Sequence, residues 1–171
     1  MTSLLQSMLY LVFPAIMAWT AISDIATMTI SNRVSLLLAA SFFVIAPIYG
    51  FPLEALGTHL LAGLLVLGVG IVFFSRGWIG GGDAKMAAAA AIWLGFDQLM
   101  PFVVASAVFG GVLTLMILIL RRQTLPAFAL QQDWLTRLHD RSEGVPYGVA
   151  IAAGGLFVFP ATPFVQLALG G

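Results

Sequence analysis

Residues 55–74 read ALGTHLLAGLLVLGVGIVFF, and the chain leaves them through Ser75-Arg76-Gly77-Trp78-Ile79 into Gly80-Gly81-Gly82-Asp83-Ala84-Lys85. The first stretch carries no charge and has the length, about 20 residues, that a helix needs to cross a hydrocarbon core of ~30 Å. The second is a polar joint that places a lone aspartate behind three glycines. Working outward, the same alternation recurs. Apolar runs at Leu4–Ile22, Val34–Tyr49, Ala84–Gly95, Leu99–Leu120 and Val145–Leu169 flank Ala55–Phe74, separated by polar joints. The pattern predicts an all-α, polytopic membrane protein with about six transmembrane helices, organised as a single domain over residues 1–171.

Composition agrees. Of 171 residues, 61% are hydrophobic and only 8% are charged, and mean hydropathy is +1.06. A soluble domain needs far more charge to cover its surface. Seven basic residues balance seven acidic ones, so nucleic acid is not an expected partner. The absence of cysteine excludes disulfides, thiol catalysis and thiolate metal sites. Met1–Ser23 has no base ahead of its apolar stretch, so it reads as a retained helix rather than a cleavable signal.

All seven bases lie in alternate joints: Arg33, then Arg76 and Lys85, then Arg121, Arg122, Arg137 and Arg141. The positive-inside rule puts those joints in the cytoplasm and both termini outside. Asp24 and Asp83 then lie at the cytoplasmic ends of their spans. Ala87–Ala91 in the short fourth run predict a helix enclosed by its neighbours. Pro14, Pro47 and Pro160-Ala161-Thr162-Pro163 are expected to kink or end helices. Trp19, Trp78 and Trp93 read as interfacial anchors, and His59 as an interfacial or packing residue. In the long polar stretch Arg121–Gly144, Leu125, Phe128, Leu135 and Leu138 suit a helix lying in the headgroup region; a solvated loop with a helical turn fits equally.

In so apolar a chain an ionisable group beside the hydrocarbon is a functional-site candidate. The glycines of Gly80-Gly81-Gly82-Asp83 suit a turn that lets another backbone approach and presents a carboxylate to a peptide; a plain turn fits them too. A phosphate loop does not, because Asp83 would repel phosphate and Lys85 comes two positions late. Asp24, in Ser23-Asp24-Ile25, is by itself as readily a helix cap as a catalyst. Its interest comes from sharing a face with Asp83. Two aspartates about 3 Å apart tend to share one proton. The ionised member can then take a proton from water while the protonated member polarises a scissile carbonyl, with no metal or cofactor required. Ser41 and Ser106 lie in apolar runs with no histidine at their level, which disfavours a serine protease. Val145-Pro146-Tyr147-Gly148 at the start of the last run has adequate structural explanations.

At these residues the chain resembles the type IV prepilin peptidases, membrane aspartic proteases of the GxGD type. Gly80-Gly81-Gly82-Asp83 with Lys85 matches G-x-G-D-x-K. Asp24, followed by Ile30-Ser31-Asn32, resembles the first aspartate and its I-P-N element, with Ser31 in place of proline. Val145-Pro146-Tyr147-Gly148 resembles the hydrophobic-P-[FY]-G element. The resemblance implies an aspartic endopeptidase with Asp24 and Asp83 as the dyad. Gly80, Gly81, Gly82, Lys85, Asn32, Arg33, Pro146, Tyr147 and Gly148 would shape the site or bind substrate. The implied substrates are prepilins or pilin-like proteins with a basic cytoplasmic leader, cut at the cytoplasmic boundary. Implied partners are the lipid bilayer and the pilus assembly machinery. Without cysteine, and at this length, the chain looks like the short, peptidase-only form associated with Flp/Tad-type pili, with no N-methyltransferase activity expected. A presenilin-like protease is the nearest alternative, although P-A-L is absent. A small transporter or assembly scaffold is the non-enzymatic one.

Overall fold

The computed structural model describes residues 8–124 and 131–169, and these are helical with no strand among them. The elements are α1 (Val12–Thr27), α2 (Asn32–Ile48), α3 (Leu53–Ser75), α4 (Gly81–Leu120), α5 (Asp133–His139), α6 (Tyr147–Val158), a 3₁₀ turn (Phe159–Ala161) and α7 (Pro163–Leu169). Among the described residues, α3 and α4 are long and apolar enough to cross a membrane; α1, α2 and α6 are shorter apolar helices.

α4 is two arms rather than one rod. At Gly95 the backbone takes φ 68, ψ −179, a region open almost only to glycine. Beyond it the chain turns back. Val103 lines the same apolar cavity as Ala84 and Ala87, whereas one straight helix would hold Val103 about 24 Å from Ala87. The first arm, 81–94, runs antiparallel to α3: Gly70 meets Ala84, and Gly95 lies under the His59 ring. The second arm, 96–120, packs against α6, with Gly110 on Tyr147 and Ala150. The fourth and fifth predicted runs therefore correspond to the two arms.

Small residues allow these approaches. A Cβ on Gly70 would stand 2.8 Å from the Ala84 Cβ, so the helices touch through backbone, as is common where lipid offers no hydrophobic drive between helices. Ala88, Ala89, Ala90 and Ala91 are buried, as their run predicted. Around them an aromatic core gathers Phe13, Phe42, Trp93, Phe102, Phe159 and Phe164. The outer surface is apolar instead of polar: Leu64, Leu65, Val104 and Met116 are all at least half exposed. That is the arrangement expected of helices facing lipid.

Four expectations need correction. Asp24 does not lie in a joint: α1 runs on through it to Thr27, and Met28 closes the helix in the left-handed region by returning its N–H to the Asp24 carbonyl at 2.8 Å. Gly81 and Gly82 are not in a turn but open α4, with Gly80 as its N-cap; the turn itself lies before them, at Gly77. Trp93 is no interfacial anchor. It is fully buried and donates its indole N–H to the Leu38 carbonyl at 2.7 Å, a bond that removes any need for the ring to reach water. The last run is not one helix; α6 stops at Val158 and α7 starts at Pro163, the break its prolines foretold.

His59 is a packing residue, stacked on Phe42 and bonded through Nδ1 to the Ile92 carbonyl at 2.7 Å. Leu125 and Phe128 lie outside the described residues. Of the remaining amphipathic pattern, Leu135 is half-buried and Leu138 buried on the short α5.

Candidate active site

α1 ends and α4 begins at the same end of the bundle, and each brings one carboxylate. Asp24, in the last turn of α1, is 4% exposed. Asp83 occupies the first turn of α4, where its Oδ2 accepts the Gly80 N–H at 3.2 Å. This bond settles a backbone donor that a helix start otherwise leaves unpaired. Both acids line one cavity of about 610 Å³.

Three close approaches build that cavity. Gly148, at the start of α6, donates its backbone N–H to Asp24 Oδ2 at 2.7 Å. A Cβ there would stand 2.7 Å from the same oxygen and from Ile30 Cδ1. Gly82 lies against Ile30, whose Cβ would be 3.2 Å from an added Cβ. The expectation that a backbone must come near the glycines is met by Ile30. Pro146 is buried beneath the rim and Tyr147 is exposed along it.

Of the residues singled out in the sequence, Asp24, Asp83, Gly80, Gly81, Gly82, Pro146 and Tyr147 line this cavity, and Gly148 holds Asp24. Lys85, Asn32 and Arg33 do not. Lys85 Nζ donates to Asn32 Oδ1 at 2.9 Å, and both line a neighbouring apolar groove of about 370 Å³ between α2, α3 and the first arm of α4. Arg33 is exposed, and its N–H is capped by the Ser31 hydroxyl at 3.3 Å. Ser31, standing where the resembled motif has proline, thus serves as the N-cap of α2.

Sequence reasoning missed part of the wall: Trp78, Ile79, Glu143 and Gly144. Trp78 and Ile79 directly precede the glycines, which was a signal in hand. Glu143 and Gly144 offered none, because a distant residue positions them. Arg121, at the end of α4, donates through Nε to the Leu138 carbonyl at 2.8 Å and through Nη2 to the Glu143 and Gly144 carbonyls at 3.0 Å each. Arg137 of α5 donates to the Ala26 carbonyl in the last turn of α1. Residues 137–144 are thereby tied to the ends of α1 and α4, beside the cavity. Near it, Asp140 accepts the Ser142 N–H and hydroxyl at 2.8 Å each, which holds its carboxyl below the usual range. Among the described residues, no group of three or more His, Asp or Glu is placed to hold a metal ion.

Two acids on separate helices thus line one cleft at the end of an apolar helical bundle. A family model described as the type IV leader peptidase family matches residues 11–115. The chain belongs to that family. The match contains Asp24 and the Gly80–Asp83 element, while Pro146–Gly148 lies beyond it. No curated protein and no solved structure matches the chain.

Proposed function

We propose that the protein is a membrane aspartic endopeptidase that removes the leader of prepilins or pilin-like proteins at the cytoplasmic face of the inner membrane. Asp24 and Asp83 are its catalytic pair. The observation that carries this reading is that the two acids, on separate helices, line one open cavity while most of the outer surface is apolar. One carboxylate activates water and the other protonates the carbonyl oxygen; the tetrahedral intermediate collapses as the amine leaves with a proton. The acids act as a pair, so neither is assigned the acid or base role alone. The Gly148 N–H fixes one oxygen of Asp24, which orients the other for this work.

In this reading the segments pass the membrane about six times, counting the two arms of α4 separately, with both termini outside. The chain acts as one peptidase unit without methyltransferase activity. The substrate's apolar helix stays among the protein's helices while its extended leader lies along Gly80–Gly82. Co-expression with a prepilin, followed by gel shift and mass mapping of the cut, tests the proposal. Leader removal at the boundary of the apolar helix is expected from the intact protein, and none from Asp83→Asn. A cut inside the apolar helix would instead favour a presenilin-like activity.

A further inference from the structure

Lys85 and Asn32 close the polar end of a groove that is otherwise apolar. Three helices form its walls: Leu36 and Ala39 from α2, Leu60 and Leu64 from α3, Ala88 and Ile92 from α4. Ala88 and Ile92 are buried, whereas Leu36 is 70% and Leu64 51% exposed, so the groove opens onto the apolar outer surface. Its α4 wall, from Lys85 to Ile92, is about 10 Å long. The polar end lies where α2 and α4 begin, at the end of the bundle that carries Asp24 and Asp83. There Lys85 Nζ donates to Asn32 Oδ1 at 2.9 Å, and both side chains are exposed. The pair therefore has donors to spare: the other ammonium hydrogens and the Asn32 Nδ2. No carboxylate is among the described residues that line the groove.

We propose that this groove holds one phospholipid, with its phosphodiester on Lys85 and Asn32 and an acyl chain between α2, α3 and α4. Charge and hydrogen bonding select the head. A phosphodiester is negative and only accepts hydrogen bonds, which complements a lysine–amide pair with donors left over. Shape selects the tail. A volume of about 370 Å³ spread over about 10 Å leaves a cross-section of roughly 40 Å², less than a helix of about 10 Å diameter fills. An acyl chain is narrow enough; the apolar helix of a protein partner is not. With this end of the bundle at the membrane surface, the phosphate lies at headgroup level and the chain runs into the hydrocarbon. One basic side chain near the surface is worth about fivefold in lipid affinity. The site is independent of the peptidase reading.

The test uses the full chain in a maltoside detergent, which contains no phosphate, and phosphatidylglycerol with a photoactivatable diazirine in its acyl chain. Diacylglycerol with the same chains is the comparison, and labelled residues are mapped by mass spectrometry. In the intact protein, phosphatidylglycerol should label Leu36, Leu60 and Leu64 about fivefold more than diacylglycerol does. Lys85→Met should remove that advantage and Lys85→Arg should keep it. Labelling of Val104 and Met116 should be the same in all three proteins, which shows that the variants are folded. Leu64→Trp, which fills the groove, should lower labelling there by both lipids. Even labelling over the whole apolar surface, equal labelling by the two lipids, or an undiminished advantage in Lys85→Met overturns the site. Displacement of the label by a prepilin-like peptide, but not by unlabelled phosphatidylglycerol, overturns it in favour of a substrate.

Discussion

Gly148 reaches Asp24 across the whole sequence. Its backbone N–H meets the carboxylate at 2.7 Å although 124 positions separate the two. The bond explains why α6 must begin where it does, and why its second residue has no side chain. An added Cβ would press on the very oxygen that the N–H holds. Gly148→Ala is therefore expected to displace the carboxylate and lower leader processing by about 10²-fold, the usual cost of ångström-scale misplacement at a reacting centre. A rate comparison in liposomes checks this; wild-type processing by the variant would show that Asp24 does not need this restraint.

Gly95 lets α4 fold back. With φ 68 and ψ −179, and an added Cβ only 2.8 Å from the His59 ring, alanine has neither the conformation nor the space. Gly95→Ala should cost about 2 kcal/mol or more. Thermal unfolding in detergent reads it directly, as a midpoint several degrees lower. An unchanged midpoint would mean that the reversal at this residue is not required.

Arg121 bridges the end of α4 to three carbonyls. A guanidinium offers a planar fork of donors that an ammonium cannot copy. Arg121→Ala and Arg121→Lys should both free the segment that carries Glu143. The expected results are faster tryptic cutting after Arg141 and about a tenfold loss of kcat/KM. Unaltered proteolysis in both variants would count against the tie.

Paired carboxylates sharing a proton lose activity in both directions of pH, because one must be ionised and the other protonated. The expected kcat/KM profile is a bell whose two apparent values belong to the pair. A profile with a single limb would contradict shared work between the acids.

Much of the candidate site was legible because the chain has so few charges to distribute. Asp24 and Asp83 stood out against apolar runs, and the glycines beside Asp83 signalled a close approach that proved to be Ile30. Helix ends were harder. Polarity at Ser23, Asp24 and Thr27 suggested a joint, yet the Thr27 hydroxyl bonds back to the Ser23 carbonyl at 2.8 Å and the helix continues. Trp93 misled because an aromatic near the end of an apolar run reads as an anchor until a buried acceptor, here Leu38, is found for it. Glu143 and Gly144 were invisible because their place depends on Arg121, brought close only by the fold. Lys85 and Asn32 were grouped with the acids by motif, yet their side chains pair with each other on the neighbouring groove.

The most direct measurement compares single-turnover leader cleavage by the intact protein, Asp24→Asn, Asp83→Asn and the double variant, each confirmed to accumulate in membranes. Residues that act as one unit lose as much singly as together. Each single variant is therefore expected to fall to the level of the double variant, with no detectable cleavage above background. Cleavage at the intact rate by either single variant, or losses that multiply from single to double, would contradict a shared catalytic role for Asp24 and Asp83.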